Sequence, residues 1–329
     1  MVHVITASDR QAFKRCRRAW DLGSRLRQAW EPDGAAPQID LAGAVRAALA
    51  VWYFPGMWAW DRAIVRPLAF EAYHRLVATW PPTGDAAAAE GERLLGRYFD
   101  WAPAVDRFTP LRVESDFQVA IPDPGDPVLA LVAADGAAVH YAGRIDLLVA
   151  DETGGNWLVV HRVGPAWAAP DELVLDERGA AGCWAWAQCF IGTEIAGAIY
   201  NELRTDADSR RGGGSFRRTP VRRDLVELER IRRTLGLEAR DMIDPALAVY
   251  PAPSWPVCST CAFRPPCMAM NAGADADALL RASYRRRPPF EQQPGRLGGA
   301  TWSTGRGAAP PTFGRHHDGP TDNRERGSQ

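Results

Sequence analysis

Between residues 111 and 163 the chain changes its hydrophobic period, and that change limits what the whole can fold into. LRVESDFQVAIP (111–122) alternates, PDPGDP (122–127) interrupts it, and further strand-like runs cover 128–133, 139–150 and 156–163. Alternation with period two lays one face of each run on a core, and the Gly, Pro and Asp between the runs supply turns. The last two runs, in GRIDLLVADETGGNWLVVHRVG (143–164), meet at a Gly-Gly turn as a hairpin. An antiparallel sheet is therefore expected in mid-chain.

Helical signals flank it. Ser8 followed by Gln11 has the spacing of a capping box, which predicts a helix through Cys16 towards Leu26. DLAGAVRAALAVWY (40–53) predicts a helix with Asp40 as N-cap. Residues 62–80 and 86–101 are expected to be helical, with PPTGD between them. After the sheet come a helix over 172–191, the strand GAIYNELR (197–204), an Arg/Gly/Ser-rich mobile loop (205–219) and a long helix (223–243). This order predicts an α/β (α+β) layout, a mixed sheet flanked by helices. One domain is expected over 1–284, with a helical insertion at about 54–105 and a cysteine segment at 255–272. From 285 the sequence stays polar and cannot bury a core, so 285–329 is expected to be a disordered tail.

No run of about 18 apolar residues is present, and MVHVITASDRQAFKRCRR lacks the apolar stretch of a secretory signal. A cytoplasmic protein with no membrane partner is the expectation. The net charge of −1 does not mark a nucleic-acid binder, but basic residues cluster at 14–27, 210–223 and 285–287, where they could meet phosphate. Lys14 is the only lysine among 39 basic residues, so chemistry that needs a neutral amine has one candidate. Thirteen tryptophans, Trp52, Trp58, Trp60, Trp184 and Trp186 among them, mostly fall at core-like spacing; exposed ones could stack on bases.

Cys183 and Cys189 lie in an apolar helical stretch and read as small core residues. Cys258, Cys261 and Cys267 form C-x2-C-x5-C among prolines, a spacing that points to metal rather than disulfides. Three thiolates need a fourth ligand, and Cys16 is the candidate. An all-thiolate set suits an iron–sulfur cluster (four-iron) or zinc. Zinc would be expected to bring a second C-x2-C knuckle, which favours the cluster. Its role would be structural, closing a loop of about 240 residues.

A cysteine before the sheet and C-x2-C-x5-C after it resembles the iron–sulfur, RecB-type branch of the PD-(D/E)XK nuclease superfamily. SDRQAFKRCRRAWDLGSR (8–25) is similar to that branch's entry helix, AGAVRAAL (42–49) to its Gly-x-x-His helix, YAGRIDLLV (141–149) to its Gly-x-Ile-Asp strand and GAIYNELR to a later sheet strand. The resemblance covers about residues 5–275 and implies a restriction-endonuclease-like mixed sheet. It further implies that two acids, often with a histidine, hold Mg²⁺ or Mn²⁺ for phosphodiester hydrolysis while a lysine assists.

Carried over position by position, the set is incomplete. The first acid falls on Asp146, the second on Val160, the lysine on Arg162 and the metal-binding histidine on Arg46. The family's Gln-x-x-x-Tyr has no counterpart in RGAAGC (178–183). Glu114 could supply a second carboxylate, and His161 could join Asp146 if the hairpin register slipped by one. Arginine keeps a charge and can contact phosphate but cannot act as a base. Asp146 is therefore expected to pair with Arg46 or Arg162 in place of a metal.

The resulting expectation is a pseudoenzyme that binds DNA, single-stranded or at duplex ends, or acts as a scaffold, beside a helicase-type protein. The alternatives are an active metal-dependent DNA exonuclease of repair or recombination, which uses Asp146 and Glu114 with Mg²⁺ or Mn²⁺, and a purely structural iron–sulfur protein.

Overall fold

The computed structural model describes residues 2–34, 39–190, 194–205 and 214–288, with the backbone of 302–303. Strand β1 (Val2–Thr6) leads into helices α1 (Ala7–Arg15) and α2 (Arg17–Gly23), then strand β2 (Trp30–Pro32). Three helices follow: α3 (Leu41–Trp52), α4 (Arg62–Val77) and α5 (Asp85–Val105). The sheet is built by β3 (Phe108–Ala120), β4 (Ala138–Asp151) and β5 (Asn156–Gly164), then, after α6 (Pro170–Val174) and α7 (Glu177–Cys189), by β6 (Ile195–Arg204) and β7 (Phe216–Arg222). Helices α8 (Leu225–Ile243), α9 (Trp255–Cys258), α10 (Arg264–Asn271) and α11 (Ala276–Ser283) close the domain. Strands β8 (Tyr284–Arg286) and β9 (Trp302–Ser303) come last.

The main sheet runs β7-β6-β5-β4-β3-β9, with β1 also on β4. The pairs β3–β4, β4–β5 and β6–β7 are antiparallel, whereas β5–β6 and β1–β4 are parallel. The expected mixed sheet flanked by helices is present. One face carries Phe13, Trp20, Trp184, Trp186 and the α8 residues Leu228, Ile231 and Leu235. The other carries Leu49, Trp52, Tyr73, Leu94 and Phe99 from α3, α4 and α5.

Several boundaries differ from the sequence expectations, each for a local reason. The capping box at the first helix is Thr6–Asp9 rather than Ser8–Gln11, because the Thr6 hydroxyl accepts the Asp9 N–H while the Asp9 carboxylate accepts the Thr6 N–H. The single helix expected through Cys16 is two, since Cys16 is extended (φ −165°, ψ 111°) and ends one helix and begins the next. Residues 128–133 form isolated bridges, Pro122 with Ala130 and Val132 with Ala138, rather than a strand. Within the loop expected at 205–219, Phe216 starts β7, while 206–213 lie outside the described residues. Of the expected tail, Arg285 and Arg286 pair with β2 and Trp302–Ser303 pair with β3; 289–301 and 304–329 lie outside the described residues. Asp40 does cap α3, accepting the Gly43 N–H.

One detail of the pairing creates the functional geometry. On a single edge, β4 pairs with β1 through residues 138–142 and with β5 through residues 147–150. Residues Gly143–Asp146 fall between these two ladders. The sheet forks there, and β5 continues beyond Val159 paired only with β6.

Candidate functional site

The fork opens into a cleft of about 600 Å³ between α1, α3, α7 and the sheet. Its acids are Asp40, Glu114, Asp116 and Asp146; its arginines are Arg25, Arg46, Arg144 and Arg178. The charges balance, and most are already paired.

Asp146 has a backbone task. Where β5 leaves β4, the His161 N–H loses a strand partner, and Asp146 Oδ2 accepts it at 3.0 Å. Asp146 Oδ1 lies 3.5 Å from Arg178 Nη2 on α7, with the Asp146 side chain only 8% exposed. The partners expected for Asp146 are elsewhere. Arg46 faces Asp40 at 4.0 Å, because Asp40 caps α3 and Arg46 lies near the start of that helix, and Arg162 pairs with Glu172 at 2.8 Å beyond the fork. Val160 packs on the α7 face, and His161 on the opposite face near Tyr53. The hairpin register sets Leu147 opposite Val159, which puts Val160 level with Asp146 without the one-residue slip.

The other acids are also specialised. Arg144 Nε and Nη2 grip Asp116 at 2.6 and 3.1 Å, a bidentate pair across β3–β4 that raises the pKa of Arg144 through its hydrogen bond to Asp116. Glu114 is level with Asp146, between the pairs Val113–Leu147 and Ser115–Ile145. Its backbone has φ 42°, and its Oε2 is buried with no hydrogen-bond partner. Gly143 is required because Phe117, opposite it, fills the space where a Cβ would stand, 2.6 Å from the ring.

His161 is locked as a neutral ring. Arg218 can only donate, and its Nε reaches Asn201 Oδ1 at 3.2 Å, which fixes the orientation of the Asn201 amide. Asn201 Nδ2 then donates to His161 Nδ1 at 2.9 Å, leaving the ring proton on Nε2. Burial, only partly offset by Asp146, pushes the His161 pKa down to about 4. A neutral imidazole with an accepting Nδ1 and a protonated Nε2 has no lone pair left for a metal. The chain continues inward: Arg218 also donates to the hydroxyls of Tyr53 (2.7 Å) and Tyr98 (3.0 Å) and ion-pairs with Asp106.

Among the described residues, no group of three or more His, Cys, Asp or Glu is arranged to hold a metal ion. At the fork the reasons are visible: Asp146 holds a backbone N–H, Asp116 holds Arg144, and His161 is protonated on Nε2. The residues present do not fit a divalent ion. Lys14 ion-pairs with Glu177 and Glu238 and is not among the cleft residues.

The cysteine segments do meet. Cys16 Sγ accepts the Ala252 N–H at 3.5 Å, and Arg18 Nη1 donates to Cys267 Sγ at 3.5 Å. Cys261 packs with Leu22, Phe263, Leu280 and Tyr284. The donor set suits a soft metal, but no three of Cys16, Cys258, Cys261 and Cys267 converge as ligands. Cys183 is fully buried in the core, and burial raises its thiol pKa to about 12.

Sequence reasoning missed Arg178, Asn201 and Arg218. Arg178 stands in RGAAGC, a segment read only for a missing Gln-Tyr pair. Of the basic cluster expected at 210–223, residues 210–213 lie outside the described residues, and three of the described arginines are in internal ion pairs. Arg217 pairs with Glu202, Arg218 with Asp106 and Arg223 with Glu227. Among the described residues, no helix is long and apolar enough to cross a membrane.

No family model matches the chain, and no curated protein does. Among solved structures it is similar to the crystal structure of SSO0001 at 15% identity and a TM-score of 0.33. That match covers 68% of this chain and 82% of the other.

Proposed function

We propose that this chain is a nucleic-acid-binding or scaffolding protein with a PD-(D/E)XK nuclease-like fold whose catalytic metal site has given way to ion pairs. The observation that supports this reading is Arg178 on Asp146, beside Arg144 on Asp116. Guanidinium groups occupy the acids that a hydrolytic metal would need, and the same groups can contact phosphate. The Arg46–Asp40 and Arg178–Asp146 pairs, at 4.0 and 3.5 Å, are long enough to be exchanged for a phosphate oxygen. The ligand is DNA, single-stranded or at duplex ends, in repair or recombination beside a helicase-type partner, in the cytoplasm.

Cys16, Cys258, Cys261 and Cys267 belong to the same proposal as ligands of an iron–sulfur cluster, with zinc as the alternative. Metal analysis and visible absorbance of protein purified without oxygen distinguish the two.

A salt titration of DNA binding tests the reading. Two to three phosphate contacts predict that log K falls with log salt at a slope of about −2. Binding that is absent at low salt contradicts the proposal and leaves the purely structural iron–sulfur protein. A second reading, an active metal-dependent deoxyribonuclease, is favoured by one observation: Glu114, with an unpartnered buried oxygen and a backbone at positive φ, stands level with Asp146.

A further inference from the structure

A second cavity, of about 280 Å³, lies farther along β5 than the cleft. Leu158–His161 line the cleft and Arg162–Gly164 line the cavity. The two also share the α6–α7 segment, with Arg178 in the first and Glu172 in the second. Both openings therefore lie along one strand.

The cavity is built around Trp167. Arg162, Glu202 and Arg217 stand level across β5, β6 and β7. Glu202 is buried, and its carboxylate accepts the Ala168 N–H at 2.9 Å and Arg217 Nε at 2.7 Å. Arg217 Nη2 donates to the Ala168 carbonyl at 2.7 Å. Both backbone groups of the residue after Trp167 are thus clamped to the sheet. The half-buried indole has the guanidinium carbons of Arg204 and Arg217 each 5.0 Å from its ring centroid.

A buried carboxylate and two ordered guanidiniums are a large investment for holding a surface loop. Such an arrangement pre-organises an aromatic face at low entropic cost to a ligand. At the cavity wall Arg162 pairs with Glu172, whose side chain is 57% exposed, and an ion pair this exposed is weak enough to yield to a phosphate.

We propose that Trp167 and Arg162 form a base-stacking subsite for single-stranded nucleic acid, which receives a strand whose phosphates first cross the Arg46–Arg178 cleft. The inference rests on the nucleic-acid-binding reading. It selects a single strand because a base must be unpaired to offer its face to the indole.

Fluorescence anisotropy with labelled oligonucleotides of about 6 and about 20 nucleotides tests it, alongside a duplex of the longer sequence. Trp167→Leu is expected to weaken the longer single strand about tenfold, to leave the short strand and the duplex unchanged, and to be rescued by Trp167→Tyr. In the wild-type protein, photo-cross-linking of a strand carrying 5-iodouracil is expected to map to Trp167, which keeps the test decisive if Trp167→Leu does not fold. Equal affinity of wild type and Trp167→Leu for the long strand, or a cross-link that maps away from this cavity, overturns the subsite but leaves the broader reading standing. Failure of the wild-type protein to bind any of the three probes overturns both.

Discussion

Arg178 Nη2 lies 3.5 Å from Asp146 Oδ1 at the point where β5 parts from β4. The pair places a positive charge on the acid that the proposed reading assigns to a lost metal site. Its removal is therefore informative. Arg178 is 46% exposed, so Arg178→Ala is expected to change stability by less than about 1 kcal/mol. The same variant frees Asp146 Oδ1 beside Glu114 and is expected to show weak Mn²⁺ binding by calorimetry, with none expected for the wild type. Equal Mn²⁺ affinity in both proteins argues against Arg178 as the substitute for a metal.

Asp146 itself is expected to matter more for folding than for chemistry. Its Oδ2 accepts a backbone N–H that the fork would leave unpaired. Asp146→Ala should cost about 1–3 kcal/mol in urea unfolding, and Asp146→Asn, which keeps an acceptor oxygen, clearly less. Equal losses in the two variants would show that the charge, rather than the hydrogen bond, is what the fork uses.

Most of the fold was legible in the sequence. The alternation at 139–150 and 156–163 and the Asp40 cap each carried a local signal strong enough to survive tertiary context, whereas the single helix expected over 172–191 is two, α6 and α7, parted at Leu175–Asp176, where the Asp176 carboxylate accepts the Gly179 N–H and starts α7 afresh. The site was legible only in part. Asp146, Glu114, Arg46, Val160 and His161 all reach the cleft, but Arg162 stands beyond its end. Its partner choice could not be read, because which arginine meets Asp146 depends on how α7 docks over the fork. Side-chain spacing within one strand says nothing of that. The break at Cys16 was hidden for a similar reason: Ala252, remote in sequence, supplies the contact that accompanies it.

His161 makes stability depend on pH. Its folded-state pKa, about 4, lies below the ordinary histidine value of 6.5, chiefly through burial. The unfolded chain therefore binds more protons between these values, and stability falls as pH drops through the window from about 6.5 to 4. The full effect is on the order of 3 kcal/mol. Urea midpoints at pH 7 and pH 5 should differ in the wild type and converge in His161→Gln. An unchanged slope in the variant would assign the pH dependence to other groups.

Arg218 anchors the inner end of the same chain. It joins Asp106, Tyr53, Tyr98 and Asn201, with its side chain 13% exposed. Arg218→Met would leave Asp106 without its cation and is expected to cost about 3–5 kcal/mol, the penalty for breaking a buried pair. Asn201 would also be free to flip, and NMR of the His161 ring nitrogens should show a mixture of tautomers in that variant. A single Nε2–H form in Arg218→Met would contradict the proposed line of hydrogen bonds.

In the proposed reading, guanidinium groups have taken the place of a hydrolytic metal at the fork. Incubation of the purified protein with labelled single- and double-stranded DNA in Mn²⁺, with Asp146→Ala in parallel, tests it most directly. The expected result is intact DNA with both proteins. Mn²⁺-dependent cleavage by the wild type that Asp146→Ala abolishes would contradict the account.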